Sequence, residues 1–476
     1  MDVIRIGDSV SPLAPLERFA LATLLDASRL LRAEDPTADV VELRISADSE
    51  QASLTAIAAP GWAPGVVDGA VQLSVGTLRT IGGVLTAALE QTAPRLDRFG
   101  RVPSTENALV RAGLERTPVV SRAALALREA ATRAAGRRIV RLLPAWPDGR
   151  SWAAALTHDL DVVQWWPLFS VLRVVELVRA RVPRDAARTL AAAAKAIAGD
   201  PVLRAITQLL DIERGAAVRS TWFVLAGRPT IATMVAGDIT YRPDHPRART
   251  ILTQIAMAKG EVGLHGSFAT YENADAMRAE RATLRTLTGA AVSGVRQHFL
   301  RMRPPATLRA MVSSAFTYDA TFGFADRSGF RLGVADIVQA WSVPANQPLP
   351  IDLVPLIWMD RALSKYRGIH RPAAWVDEAI ELATTCRDVE GLWVGLWHPN
   401  LSPALGFPGA PREYARLVRW LTEQTSPYVG TLDELTTWRR ERRLVRALRV
   451  ASDGRIELRS PRPFDLLDER GRTVAA

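Results

Sequence analysis

Two aspartates two positions apart form the most chemically informative feature of the sequence. Asp159 and Asp161 lie in the stretch AAALTHDLDVV, residues 153–163. Successive side chains of a strand point to opposite faces, so these two carboxylates project the same way while His158 projects the other. Such a pair suits a divided task, in which one carboxylate holds a metal ion and the other stays free as a base. Taken alone, the pair is equally compatible with capping aspartates at a polar strand exit.

Three of the six histidines stand at the ends of other apolar segments. His265 follows the apolar run 262–264, and His398 ends the run in GLWVGLWHPN. In GVRQHFLRMRPP, Arg296 and His298 share a face by the same two-residue period. Each histidine singly could have a structural role. Four strands that each end in a metal-capable or proton-transferring residue are hard to explain by packing alone.

The elements that must position these residues alternate between short apolar runs and helical stretches. Buried strands are predicted where the runs lie, at 152–156, 220–225, 261–264, 292–296 and 392–397. This alternation indicates an α/β sheet or barrel with parallel strands, in which functional residues gather at the carboxyl ends of the strands.

The chain divides into three predicted parts. Residues 1–148 are predicted to form an N-terminal α+β accessory domain, because helical stretches alternate there with short β-branched runs and no catalytic motif occurs. Residues 149–435 carry the motifs, with an Arg/Ala-rich helical insertion at 165–214. Residues 436–476 predict a small β-rich tail, because the alternating RIELR follows the turn signal SDG.

Composition limits the classes of function. A chain of 476 residues with 48% hydrophobic and 23% charged residues can bury a large core and is not a disordered peptide. Its single cysteine, Cys386, excludes an intramolecular disulfide framework and a multi-cysteine zinc site. The first residues lack a signal-peptide pattern, and no apolar run reaches the ~18 residues of a spanning helix. A cytoplasmic protein is therefore predicted.

The net charge of +10 raises a polyanion as partner. In the basic cluster WRRERRLVRALR, residues 438–449, arginines alternate with apolar residues in the way of a solvated helix face. No nucleic-acid-binding signature accompanies them, so nucleic acid is not expected as a partner. The basic, tryptophan-rich stretch after Trp165 leaves peripheral contact with the inner face of an anionic membrane as an alternative. A non-catalytic protein that binds a membrane surface or a glycan is the corresponding alternative function.

The set of motifs resembles the polysaccharide deacetylase superfamily, also called the NodB-homology carbohydrate esterases, in order and spacing. THDLD at 157–161 is similar to the Asp-x-Asp motif of that family, and STWFVLAG at 220–227 to the strand that follows it. GLHGSF is similar to the second motif, RQHF at 296–299 to the third, and the sequence from Leu396 to His398 to the closing Leu-x-His. The resemblance covers roughly residues 151–430. It implies an α/β fold, a distorted (β/α) barrel of the polysaccharide deacetylase type.

The resemblance also implies an activity and a division of roles. A hydrolase of this family removes an acyl group, N-acetyl first among them, from a glycan or glycan precursor with the help of a divalent metal, Zn²⁺ being the first choice. By this resemblance Asp159 would be the general base, Arg296 would orient it, and His398 would be the general acid. Asp161 and His265 would be metal ligands, and the metal would lower the pKa of water and polarise the acyl carbonyl.

One departure from the family pattern concerns the third ligand. The family usually places a second histidine four residues after the first, and this chain has Ala269 there. His298 stands where the family has proline and shares a face with Arg296, so we predict it as the replacement ligand. Ser267 and Thr270 are weaker oxygen donors. Without a third ligand, a metal-independent amide hydrolase of the same fold becomes the alternative function.

Three further residues are predicted to bind substrate: Asp319, Trp397 and Ser267. Asp319 lies in an aromatic, glycine-rich loop and is also the first choice for the aspartate that tunes the acid histidine, ahead of Asp326 and Asp352. Trp397 could stack on a sugar ring, although most tryptophans of the chain are expected in the core.

Overall fold

The computed structural model of the chain describes residues 3–6, 12–34, 40–48, 50, 52–93, 95–165, 167–196, 199–424, 426–450, 456–468 and 470–474. Trp166 in the predicted insertion and residues 451–455 in the predicted tail lie outside this set. Across the described residues, no helix combines the length and the apolar character needed to cross a bilayer.

The N-terminal part forms a small mixed sheet covered by helices. Its elements in chain order are β1 (Val3–Ile6), α1 (Pro15–Ser28), β2 (Val40–Ser46), α2 (Leu54–Ala58), β3 (Gly65–Val67), β4 (Ala70–Ser74), α3 (Val75–Leu85), α4 (Ala88–Gln91), α5 (Ala108–Arg111) and α6 (Val119–Ala135). The strand order is β1-β2-β4-β3, with only β3 antiparallel to its neighbour. Helices α1, α3 and α6 bury Leu24, Leu78 and Leu127 in one cluster with Leu43 of β2. Apolar side chains recurring on one face of each helix thus explain this layer.

The motif-bearing part is built on a second, larger sheet. Its elements are β5 (Ala153–Leu160), α7 (Pro167–Arg179), α8 (Pro183–Ala196), α9 (Pro201–Gly215), β6 (Thr221–Leu225), α10 (Ile231–Val235), α11 (Pro246–Met257), β7 (Glu261–Gly266), α12 (Ala274–Thr288), β8 (Gly294–Gln297), α13 (Ala306–Ser313), β9 (Tyr318–Asp319), β10 (Val338–Ser342), β11 (Gln347–Leu353), β12 (Trp358–Met359), α14 (Pro372–Asp388), β13 (Leu392–Leu396), α15 (Ala410–Arg419), β14 (Tyr428–Val429) and α16 (Leu432–Arg443). Short π-helical turns follow β12 at Ala362–Tyr366 and α15 at Trp420–Gln424.

This sheet has the order β10-β11-β9-β8-β7-β6-β5-β13-β12, with β14 added beside β5. All the pairs are parallel except β10 with β11. The sheet curls into a half-barrel, and within the described residues β10 and β12 are not paired with each other. The α/β class predicted from the sequence is therefore confirmed, and the distorted (β/α) barrel that was predicted has the form of a half-barrel. Parallel order brings the carboxyl ends of β5, β6, β7, β8 and β13 to one edge.

The N-terminal sheet and the half-barrel share apolar packing. Phe19 of α1 packs against Trp341 of β10, with ring centroids 4.9 Å apart, and one buried cluster continues between the two parts. The boundary predicted at residue 148 falls in the single 3₁₀ turn Pro147–Gly149, directly before β5. Helices α7, α8 and α9 connect β5 to β6 where the insertion was predicted.

The basic cluster 438–449 is not a solvated helix face. Helix α16 runs across the boundary predicted at 435/436, and the chain continues into β15 (Arg446–Val450), β16 (Ile456–Arg459), β17 (Leu466–Leu467) and β18 (Thr473–Val474). Arg439 is buried and pairs with Asp336 at 2.6 Å and Asp26 at 3.0 Å, and Arg442 donates to the carbonyl of Ala145 at 2.8 Å. The sequence predicted that these arginines face solvent. Instead, Arg439 and Arg442 bind helix α16 to residues of the N-terminal part of the chain.

Candidate metal and catalytic site

The site is assembled from the carboxyl ends of β5, β7, β8 and β13, with β6 between β5 and β7 in the sheet. In β5 the side chains of Asp159 and His158 point to opposite sides, as the strand period predicts. His158 is buried away from the site, where its ring nitrogens contact the carbonyl of Trp397 at 2.7 Å and Glu213 at 2.8 Å. The pairing register then sets His265 of β7 directly beside Arg296 of β8. These registers bring Asp159 and Arg296, which are 137 positions apart in the sequence, into direct contact.

Three potential metal ligands meet at this edge. Oδ1 of Asp161 lies 3.3 Å from Nε2 of His265 and 3.5 Å from Nε2 of His298. Potential ligand atoms of the three residues all lie within 4.8 Å of one another. The structure thus brings together the three residues predicted as ligands, including His298 in place of the histidine missing at 269.

Each histidine of this cluster is held by its other ring nitrogen. Nδ1 of His265 lies 2.9 Å from the carbonyl oxygen of Arg296, and Nδ1 of His298 lies 3.4 Å from Oδ1 of Asp238. A carbonyl oxygen can only accept, so Nδ1 of His265 carries a proton, and Nε2 is the ring nitrogen that faces Asp161. Such outer partners fix the ring orientation and tautomer that metal ligation needs.

A divalent cation fits this cluster. Oδ1 of Asp161 and Nε2 of His265 are both buried, and neither makes a hydrogen bond to any described residue. Buried polar atoms without partners cost free energy, which a cation between them would recover. One carboxylate and two imidazoles form a donor set suited to Zn²⁺ and related divalent metals, with positions left for water and substrate.

The charge of the cluster is also arranged for a cation. Burial alone would raise the pKa of the Asp161 carboxyl, but the imidazoles of His265, His298 and His398 outweigh burial and hold it below its ordinary value. Burial lowers the pKa of His265, and the carboxylates of Asp159 and Asp161 outweigh it and raise that pKa. A bound cation would take the place of the imidazole proton.

Asp159 lies beside the ligands but is held by Arg296. Nη1 of the buried Arg296 donates to Oδ1 of Asp159 at 2.9 Å and to Oγ1 of Thr157 at 3.0 Å, while its Nε donates to the carbonyl of Ala320. The other Asp159 oxygen lies 3.7 Å from Nε2 of His265. Burial disfavours the charged carboxylate, yet His265, Arg296 and His398 keep its pKa below the ordinary value. Asp159 is thus an oriented, ionised carboxylate next to the cluster.

His398 is oriented by an aspartate that sequence reasoning missed. Its Nδ1 lies 2.6 Å from Oδ1 of Asp360, and its backbone N–H donates to Oδ2 at 2.6 Å. Nε2 lies 3.7 Å from Oδ2 of Asp161. Burial lowers the pKa of His398, but Asp360 outweighs burial and raises it above the ordinary value. A signal for Asp360 existed, because it ends the apolar run LIWM as the other site residues end theirs.

The three residues predicted to bind substrate do not line the site cavity. Asp319 is fully buried, accepts hydrogen bonds from Thr321 and is not the partner of His398. The ring of Trp397 is buried and stacks on Trp358 with centroids 6.0 Å apart. Ser267 is buried as well and donates from its hydroxyl to Glu280. The position of the family's second histidine, Ala269, is exposed.

Asp319→Asn is expected to remove a pH-dependent loss of stability. Burial raises the pKa of the Asp319 carboxyl to about 7 in the folded chain, against about 3.9 in an unfolded chain. Between these values only the folded chain keeps the proton, so the wild type loses stability as the pH rises from about 4 to about 7. Asparagine keeps the oxygen that accepts from Thr321 and has no such proton.

Denaturant unfolding at pH 5 and pH 8 measures this effect. We expect the wild type to lose about 2–3 kcal/mol more than Asp319→Asn between the two pH values. Equal losses would contradict the assignment of Asp319 as a buried neutral acid. A changed metal content or catalytic rate at pH 6 would instead point to the site role predicted from the sequence.

The site opens into a cavity of about 110 Å³ lined by residues of both parts of the chain, Arg101, Asp159, Asp161, His265, His298, Phe299, Leu300, Ala325, Met359, Arg361, Lys365, Tyr366 and His398. Arg101 comes from the N-terminal part, in which the sequence shows no catalytic motif. It donates to the carbonyl of Phe299 at 3.1 Å and to the hydroxyl of Tyr366 at 3.3 Å. Contacts across some 200 residues leave no local sequence signal, so this contribution could not be predicted.

A larger groove of about 850 Å³ shares Asp161, His298, Phe299, Arg361 and Lys365 with the cavity and continues along α7. Leu172 and Glu176 of that helix form part of its wall, with Phe407 from the segment before α15. Groove and cavity together have the size of a small-molecule site, whereas the cavity alone holds only a few atoms.

No family model matches the chain, and no curated protein matches it. Among solved structures, a protein described as a polysaccharide deacetylase from Mycobacterium smegmatis is 19% identical, with a TM-score of 0.42 over 66% of this chain and 99% of that one. Another so described, from Pseudomonas aeruginosa PAO1, is 14% identical, with a TM-score of 0.42 over 63% and 94%. An allantoinase is 13% identical, with a TM-score of 0.41 over 62% and 92%.

The fold and the site define a class of protein: an α/β half-barrel with an Asp/His/His cluster at the carboxyl ends of its parallel strands. The sequence motifs resemble those of the polysaccharide deacetylase superfamily, and two of the solved structures to which the chain is similar are described as polysaccharide deacetylases. At the identities and TM-scores found, the chemistry must be argued from the residues of this chain itself.

Proposed function

We propose that this chain is a metal-dependent hydrolase that removes an acyl group, N-acetyl first, from an amide on a glycan or glycan precursor. One observation carries the proposal. An ionised carboxylate held by Arg296 and an imidazole held by Asp360 line the same cavity as the Asp161, His265 and His298 cluster. A base, an acid and a cation site in one cavity are the parts that amide hydrolysis requires.

Asp161, His265 and His298 would hold the metal, with Zn²⁺ as the first choice. When bound, a divalent cation supplies Lewis-acid chemistry that lowers the pKa of water and polarises the acyl carbonyl. Asp159 takes the proton of the attacking water. Arg296 occupies only Oδ1 of this carboxylate, so Oδ2 is left to accept that proton. The same guanidinium keeps the carboxylate aimed at the cluster throughout the reaction.

His398 supplies the proton for the leaving amine. Asp360 and the nearby Asp161 and Asp159 raise the pKa of this imidazole above its ordinary value, which favours the protonated form, and the bond from Nδ1 to Asp360 leaves Nε2 as the donor that faces the cavity. The amine leaves as a neutral group because this proton reaches its nitrogen as the C–N bond breaks. The cavity accommodates the acyl end of the substrate, and the groove accommodates the sugar that carries it.

The test is acetate release from N-acetylated oligosaccharides and from monomeric N-acetylated sugars. We expect activity in Zn²⁺-loaded protein, loss on prolonged treatment with a chelator, and recovery when the metal is returned. Activity that survives full metal removal would favour the metal-independent amide hydrolase, for which cyclic amides are the substrates to assay. No acetate from any N-acetylated sugar with the metal in place would contradict the deacetylase.

We also propose that the protein works in the cytoplasm and that its helix α7 lies against an anionic membrane surface. Along one side of α7, Leu168, Val171, Val175 and Val178 are between 42% and 63% exposed at a spacing of three and four residues. The chain after this stripe carries Arg179, Arg181 and Arg184, all exposed and without an ion pair to a described residue. An apolar stripe beside unpaired cations complements an anionic bilayer. Helix α7 also lines the groove, so a lipid-linked glycan could enter the site from the membrane.

Replacing Val171, Val175 and Val178 together by serine is expected to abolish co-sedimentation with phosphatidylglycerol vesicles. Vesicles of phosphatidylcholine should bind the wild type weakly, because the arginines contribute only on an anionic surface. Met257→Ser on α11 removes an apolar side chain elsewhere that is more exposed than the three valines, and this variant should bind like the wild type. Equal binding by the triple variant would rule out α7, and a change in its oligomeric state would assign the stripe to contact between copies of the chain.

A further inference from the structure

Two cationic side chains lie where the cavity and the groove meet. Arg361 and Lys365 line both of them, and they follow directly on Asp360, the residue that holds His398. Lys365 belongs to the π-helical turn Ala362–Tyr366, and Arg361 is the residue before that turn. Their position is therefore set by the same strand end, β12, that fixes the acid histidine.

The two carboxylates that line the cavity, Asp159 and Asp161, and its third cationic side chain, Arg101, already have partners. Asp159 is bonded to Arg296, and Asp161 faces three imidazoles. Arg101 pairs with Asp97 at 2.7 Å. Each of these carboxylates is thus already shared with other groups of the site, and a bound metal would add more positive charge.

Arg361 and Lys365, by contrast, make no ion pair with any residue that the structure describes. Their contacts are to aromatic rings: the guanidinium carbon of Arg361 is 5.8 Å from the centroid of Phe407, and Nζ of Lys365 is 5.4 Å from that of Phe299. Partial burial and the nearby guanidiniums of Arg361, Arg98 and Arg101 lower the pKa of Lys365, and the Asp161 carboxylate opposes them only in part. Positive charge is thus in excess beside the cluster, because the nearby Asp161 carboxylate is shared with three imidazoles.

We propose that Arg361 and Lys365 form an anion-binding subsite, and that the substrate carries a phosphate or carboxylate group close to its acyl amide. The inference rests on the proposed function for the identity of the reaction, but the subsite can bind its ligand without turnover. A guanidinium offers paired donors to two oxygens of a phosphate or carboxylate, and an ammonium adds a point charge. The two like charges at the mouth of the cation site repel each other. An anion bound between them would attract both and offset that repulsion. A neutral glycan would not provide that anion.

The experiment measures binding to Zn²⁺-loaded Asp159→Asn protein, which should not turn the ligands over. Three probes share the N-acetyl group and differ in charge: N-acetylglucosamine, N-acetylglucosamine 1-phosphate and N-acetylmuramic acid. We expect at least one charged probe to bind about 10-fold or more tightly than the neutral one, with a preference that weakens as salt is added. The phosphate and carboxylate probes show which group the subsite takes.

Adding Arg361→Gln and Lys365→Gln should reduce the preference to within about 2-fold and leave the metal content and the affinity for N-acetylglucosamine unchanged. Lys259→Gln is the matched control, because this exposed lysine precedes β7 at the opposite edge of the sheet. An anion that binds only the metal would keep its preference in the double variant and overturn the proposal. Equal affinity for all three probes, or binding of none, would also overturn it. Charge-selective binding without acetate release would retain the subsite and refute the deacetylase.

Discussion

Replacing Asp159 with asparagine is expected to lower kcat/KM for amide hydrolysis by about 10²–10⁴-fold, the range that a general base contributes. Asparagine keeps the size of the side chain and an oxygen that can accept from Arg296, but it cannot take a proton from water. Because Asp159 is outside the Asp161, His265 and His298 cluster, bound metal should stay near the wild-type stoichiometry. Steady-state kinetics and metal analysis of the same preparation check both halves of the prediction.

The control for Asp159→Asn is the same substitution at the neighbouring carboxylate, Asp161. Asp161→Asn should lose metal as well as activity, since the carboxylate of Asp161 completes the cluster. Metal content and activity, measured together, thus distinguish the role of Asp159 from that of Asp161. If Asp159→Asn keeps more than about a tenth of the activity, or if it loses its metal, Asp159 is not the base.

His298→Ala is expected to weaken metal binding by more than about 10²-fold, beyond the 10- to 100-fold loss that follows when only an outer partner of a ligand is removed. The variant keeps only the carboxylate of Asp161 and the imidazole of His265 as ligands. Ala269, at the position where the family has another histidine, has no ligand atom in its side chain and is exposed. Competition against a chelator of known affinity gives the dissociation constant, and activity should fall with metal occupancy.

His370→Ala is the matched control for His298→Ala. His370 lines the large groove but has no part in the cluster, so its removal should leave metal affinity unchanged. Unchanged metal content in His298→Ala protein would show that the third ligand lies elsewhere. It would also revive the alternative of a metal-independent amide hydrolase.

Strand ends were the part of the site that could be predicted. Asp159, His265, Arg296 and His398 each follow or end a short apolar run, and parallel strands place their carboxyl ends at one edge of the sheet. The two-residue period also assigned His158 to the opposite face, where it contacts Glu213. Both rules use only local sequence, so both were available before the fold was known.

The same local rules were insufficient for the residues predicted to bind substrate. Ser267 shares the period of His265, but β7 ends at Gly266 and the chain turns, so the hydroxyl meets Glu280. Trp397 follows the end of β13 and turns into a buried aromatic cluster with Trp358. An aromatic or polar side chain next to a site residue is not enough to place it in the cavity.

The sequence alone predicted the α/β class and the strand ends that carry Asp159, His398 and the Asp161, His265 and His298 cluster, because hydrophobic period and motif order are local properties. Only the tertiary structure decided that Asp360, and not Asp319, holds His398, and that Arg101 reaches the cavity from the N-terminal part. It also decided which arginines are paired: Arg439 and Arg442 are bonded within the chain, and Arg361 has no ion pair among the described residues. Charge pairing depends on distances between residues far apart in the chain, which composition and spacing do not contain.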